Sequence, residues 1–152
     1  MKNFSLRVLL AFSTCLIATS IQAQSGPTLD ISPVLVDFGE TAEGGRGRQN
    51  LTLTNLTDAP LDVTAFDQTG SASFAIDPLG GGKPCGAETP RIEANDNCTL
   101  EVIFSPDFPE VANGTLTFTP NGDPTKAITV RLKGETPDQS GGCSLQVRRR
   151  RP

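Results

Sequence analysis

Cys85 and Cys98 are the residues of this 152-residue chain with the clearest chemistry open to them. Two thiols that bracket a turn-rich loop can close a disulfide or supply two ligands to a metal. A zinc site needs a further Cys or His pair nearby, and the chain has no histidine at all. The expected outcome is a disulfide, and in the chain-entropy model closing a loop of about 14 residues stabilises a domain by about 3 kcal/mol. Without histidine, Ser-His-Asp and Cys-His catalysis within the chain is excluded. Ser144 and the many threonine hydroxyls therefore lack a base, and neither an enzyme nor a cofactor is expected. Asn95-Asp96-Asn97 and Asn121-Gly122-Asp123 are rich in oxygen but lack the spacing that gathers several calcium ligands, so they read as turns, and no metal site is expected.

The element that must hold the second cysteine is legible in the alternation that follows it. Cys98, Leu100, Val102 and Phe104 face one way, while Thr99, Glu101 and Ile103 face the other, the period of a strand with one buried face. Similar rows recur along the chain. Leu51 and Leu53 point inward with Thr52 and Thr54 outward, Leu61, Val63 and Ala65 form the next inward row, and Phe74 with Ile76 makes a short strand. Leu116 and Phe118 precede a turn at Pro120-Asn121-Gly122-Asp123-Pro124, after which Ile128, Val130 and Leu132 point inward. Near the start, Leu29 to Phe38 reads as a strand broken at Ser32-Pro33, and the proline, which cannot donate to a ladder, places it at an edge. No amphipathic helix of useful length is visible. Seven to nine short strands at these spacings predict an all-β, immunoglobulin-like β-sandwich with Phe38, Leu53, Val102, Phe104, Phe118 and Val130 in one core.

The ends of the chain differ from this middle. Residues 1–23 read as a secretory signal peptide, with Lys2 and Arg7 before an apolar run and Ile21-Gln22-Ala23 as the cleavage site. The sandwich is expected over 28–134. Residues 135–152 read as a disordered tail that carries Gly141-Gly142-Cys143-Ser144 and then Arg148, Arg149, Arg150 and Arg151. Cys143 is a candidate processing or anchoring point, and the arginines offer weak contact with an anionic membrane. Between 24 and 142 all 17 acidic residues face only seven basic ones (Arg46, Arg48, Lys83, Arg91, Lys126, Arg131 and Lys133), which leaves the body near −10. Such a surface repels phosphate backbones, so nucleic acid is not an expected partner. A cysteine pair in a small all-β domain behind an export segment places the protein in the periplasm, at the cell surface or outside the cell.

Several blocks in order resemble one family: Val36-Asp37-Phe38-Gly39, Leu51-Thr52-Leu53-Thr54-Asn55, Phe74-Ala75-Ile76, Cys85 with the run from Cys98 to Pro106, and Gly114-Thr115-Leu116-Thr117-Phe118. Together they resemble the ASH (Hydin-like) domain of the major-sperm-protein and PapD-like superfamily, whose bacterial form is labelled a choice-of-anchor D domain. The resemblance implies an immunoglobulin-like sandwich in exported proteins, attached to the surface by varied C-terminal signals, with an unassigned ligand. It makes Gly141-Gly142-Cys143-Ser144 similar to the start of one such sorting signal, although no hydrophobic helix follows here. The function expected is a non-catalytic interaction or structural module contacting protein or polysaccharide. The alternative is a PapD-like chaperone that adds a client strand to a sheet edge, against which stand the single domain and its acidic charge.

Overall fold

The computed structural model describes residues 28–138, and within them nine strands form two packed sheets. The strands are β1 (Leu29–Ser32), β2 (Leu35–Glu40), β3 (Gly47–Asn55), β4 (Leu61–Gly70), β5 (Phe74–Asp77), β6 (Arg91–Ile92), β7 (Asn97–Phe104), β8 (Glu110–Pro120) and β9 (Ile128–Thr136). One sheet has the order β1-β3-β7-β5 and the other β2-β9-β8-β4-β6. All pairings are antiparallel except β2 with β9. The export segment, Cys143 and Arg148 to Arg151 lie outside the described residues.

The core follows the alternation. Leu51, Leu53, Leu100, Val102, Phe104, Leu116, Phe118 and Val130 are fully buried between the sheets, and Phe38 packs against them partly buried. The break at Ser32-Pro33 does more than mark an edge. It carries the chain from β1, the edge of one sheet, to β2, the edge of the other. One inward assignment is overturned: Ala65 is exposed, and Phe66 instead turns toward the core, its ring 5.3 Å from that of Phe118. The cause is a bulge between Val63 and Ala65, which inserts one residue and flips the phase of everything after it. A second difference concerns the end of the sheet. β9 continues to Thr136, two residues past Gly134, because Glu135 and Thr136 still pair with Val111 and Glu110.

Phe38, Phe74 and Phe104 form an aromatic trio with ring centroids 5.1 to 6.0 Å apart. Two glycines within strands leave room for it. A Cβ at Gly134 would stand 2.6 Å from the Phe104 ring, and one at Gly47 would stand 2.8 Å from the Phe38 ring. The trio floors one end of the sandwich, built from loops 41–46, 71–73 and 105–109 and the end of β9; this is the exit pole. The opposite end, the disulfide pole, comprises loops 56–60, 93–96 and 121–127 and the long excursion 78–90.

Candidate interaction surface

Cys85 and Cys98 are joined by a disulfide, with Cα atoms 4.8 Å apart. Cys98 opens β7 with its side chain in the core, and Cys85 is held beside it by the Cys85 N–H donating to the Thr99 carbonyl. Around this staple the polar groups are taken up internally. Asn55 is 1% exposed; its amide donates to the carbonyls of Ala59, Ile92 and Glu93, and its oxygen accepts from the backbone and hydroxyl of Thr57. One buried side chain thus ties the end of β3, the following loop and β6 together, a role that the alternation of strand residues does not reveal. The local signal was Asn-x-Thr, the pattern of an Asx turn.

The two Asx-rich loops are turns. Asn95 and Asn121 take left-handed backbone, and the Asn121 side chain accepts from the Asp62 N–H while its own N–H donates to the Asp62 carbonyl. Asp96 accepts from Lys83 and from the Asn97 N–H, and these bonds, the lysine first, pull its carboxyl below the ordinary aspartate value. Asp123 is lowered in the same way by the Thr125 hydroxyl and N–H. Arg91 pairs with Asp62 at 2.9 Å and with Glu93 at 3.9 Å. Among the described residues no three His, Cys, Asp or Glu side chains are gathered to hold a metal.

The exit pole is built differently. Its backbone is well tied: Gly44 donates to Pro106, Thr41 to Glu135 and Ser105 to Ser73, each at 2.8 Å. Its acidic side chains are not. Glu40, Glu43, Asp107 and Glu135 have no ion pair among the described residues, and Glu110 accepts only from the hydroxyls of Ser71 and Ser73. Glu40 is the register partner of Glu135, and Glu135 that of Val111, so two carboxylates and an apolar side chain form one outward row across β2, β9 and β8. Like charges directly opposite one another are destabilising. Arg46 is the cation of the β2–β3 loop. Beside this row Phe108 is 59% exposed and Val111 66%. One row inward the pattern reverts to a matched pair, Lys133 with Asp37 at 3.5 Å. The Gly39 N–H and, more weakly, Lys133 hold the Asp37 carboxyl below its ordinary value.

A shallow notch of about 350 Å³ lies beside this pole, lined by Thr69, Asn113, Thr115 and Arg131 over the backbone of Gly70 and Gly114. The Thr69 and Thr115 hydroxyls satisfy each other at 2.8 Å, and the residues lining the notch include no nucleophile paired with a base. The surface thus sets an apolar pair beside carboxylates that have no ion pair among the described residues.

The geometry defines an immunoglobulin-like sandwich with one internally satisfied pole and one open one. Its fold is that of ASH/PapD-like domains: 90% of the chain superposes on 98% of the ASH/PapD-like domain of human CEP192 (PapD-like domain 7), with a TM-score of 0.50 and 14% identity. The chain is also similar to part of the VesB protease of Vibrio cholerae, with a TM-score of 0.50 and 21% identity, covering 72% of this chain and 32% of that one. In sequence it is 32% identical over 111 residues to cilia- and flagella-associated protein 65 of Chlamydomonas reinhardtii, a match that takes in 72% of this chain and 5% of that protein. No family model matches.

Proposed function

We propose that the protein is a non-catalytic interaction module, exported to the periplasm, the cell surface or the medium, that binds a protein partner through its exit pole. The observation that carries this is the outward row Val111, Glu135 and Glu40 beside Phe108, where charge and apolar surface are left unmatched on a rigid backbone. Support for export comes from the disulfide and from the signal-peptide pattern of residues 1–23. Support for a binding role comes from the ASH/PapD-like fold and from the absence of histidine. Polysaccharide is the weaker choice, since the chain has neither Trp nor Tyr to stack on a sugar ring. The second reading, strand addition in the PapD manner, rests on β2, a sheet edge among the described residues that exposes Leu35, with Val34 exposed just before it.

Photo-crosslinking residues placed one at a time at Phe108, Val111, Leu35 and Leu56 in producing cells test these readings. Adducts from Phe108 and Val111 that disappear with Glu135→Lys support the exit pole. Adducts from Leu35 alone transfer the function to strand addition. Adducts from Leu56 alone, on the disulfide pole, sink both.

A further inference from the structure

The exit pole lacks a neighbour of a particular kind, and the chain itself carries one. β9 ends at Thr136 on this pole, and the described chain leaves from it at Asp138. The segment 139–152 that follows contains Leu145 and Val147, two residues apart, and then Arg148 to Arg151. The surface it leaves from offers the complement: Phe108 and Val111 exposed, and Glu40, Glu43, Asp107 and Glu135 without a cation among the described residues.

We infer that the segment 139–152 docks in cis on the exit pole, Leu145 and Val147 against Phe108 and Val111, and the arginines among the unpaired carboxylates. Reach permits it. Seven residues separate Asp138 from Leu145 and span up to about 23 Å when extended, against a pole about 10 Å thick and five strands, or about 20 Å, wide. The inference rests on the reading of this pole as the binding face and adds a regulation to it. A docked tail covers the surface a partner needs, so partner and tail compete.

The test uses the full chain with Cys15→Ser, disulfide intact, and a nitroxide on Cys143. Docking in cis broadens backbone amide signals of Glu40, Phe108, Val111 and Glu135 and spares those of Asn55, Asp96 and Asn121. The broadening disappears in the variant with Arg148 to Arg151 all replaced by Gln, and in 1 M NaCl, where the screening length falls to about 3 Å. Equal effects at both poles, no broadening, or broadening that survives the Gln variant overturns the inference. In a mixture of spin-labelled and isotope-labelled molecules, broadening that crosses between molecules also overturns it, by assigning the tail to a second copy. A synthetic 139–152 peptide added to the Gln variant separates this failure from that of the binding face. Shifts confined to the exit pole, without broadening from Cys143, leave the binding face standing and remove only the docking, whereas silence in both removes both.

Discussion

The two poles of the sandwich spend the same residue types differently. At the disulfide pole Asp62, Glu93 and Asp96 face cations, Asp123 caps its own turn, and Asn55 and Asn121 bond the backbone of two loops, β6 and β4. Asp58, Glu88 and Asp123 have no ion pair there among the described residues, and of these Asp123 is held by Thr125. At the exit pole the backbone is as well bonded, yet Glu40 stands opposite Glu135 and the nearby Phe108 and Val111 face solvent. Folding alone explains the first arrangement, because each polar group it buries or crowds is satisfied. It does not explain the second, where side chains sit in positions that weaken the free domain. The difference separates side chains that the fold satisfies from side chains that it leaves without a cation among the described residues.

The largest effect should come from the floor of the exit pole rather than its rim. Phe104 is fully buried and packs on Phe38 and Phe74, so Phe104→Ala should destabilise by about 3 to 5 kcal/mol in chemical denaturation. A loss under about 1 kcal/mol would mean that the trio does not hold this end together, and the rigid half of the comparison would fail.

Next is the staple. Reduction, or replacement of Cys85 and Cys98 by alanine together, should remove about 3 kcal/mol and lower the melting temperature by several degrees. Hydrogen exchange should rise in 78–99 and stay unchanged in 105–111. A uniform rise across both poles would show that the staple acts on the whole fold and not on its own end.

Much of this was open to inspection in the sequence. The phase of β7, the inward rows of β3 and β9 and the cysteine pair follow from an alternation of two and from thiol chemistry. Ala65 was misplaced because a bulge is a one-residue event that leaves no mark on composition, and only its Thr64 hydroxyl, donating to Thr119 and accepting from Gly122, shows what fixes it. The open pole was hidden for another reason. Glu40, Asp107 and Glu135 are far apart in the chain, and only the parallel pairing of β2 with β9 sets two of them side by side. The overall acidity was plain, but its concentration at one end depends on topology.

Asn55→Ala should come third, at about 1 to 3 kcal/mol, since it leaves the carbonyls of Ala59, Ile92 and Glu93 without their donor. Acid should act on the same pole through two carboxyls, and on the β2–β9 pair through Asp37, whose carboxyl is also lowered. The carboxyls of Asp96 and Asp123 are lowered in the folded state, so the stability they contribute is present above the unfolded aspartate value and is lost as pH falls through the lowered one. Amide exchange measured downward from pH 5 should therefore accelerate first around 83–97 and 121–127. Exchange that accelerates first at 105–111 would reverse the assignment of the tied pole.

The smallest effect is the sharpest, because its sign differs between the poles. Asp62→Asn removes half of an exposed ion pair with Arg91 and should destabilise by about 0.2 to 1 kcal/mol. With Arg148 to Arg151 replaced by Gln, so that no docked cation meets it, Glu135→Gln removes one of two opposed carboxylates and should stabilise by a similar amount, about 0.2 to 1 kcal/mol, with the gain shrinking in high salt. The double substitution should be additive, since the two sites lie at opposite ends of the sandwich and share no partner. In the parent chain Glu135→Gln should instead destabilise, because the docked arginines match Glu135. Addition of 1 M NaCl to the parent should reproduce that loss, and a parent that Glu135→Gln stabilises would mean that the arginines at 148–151 do not reach Glu135.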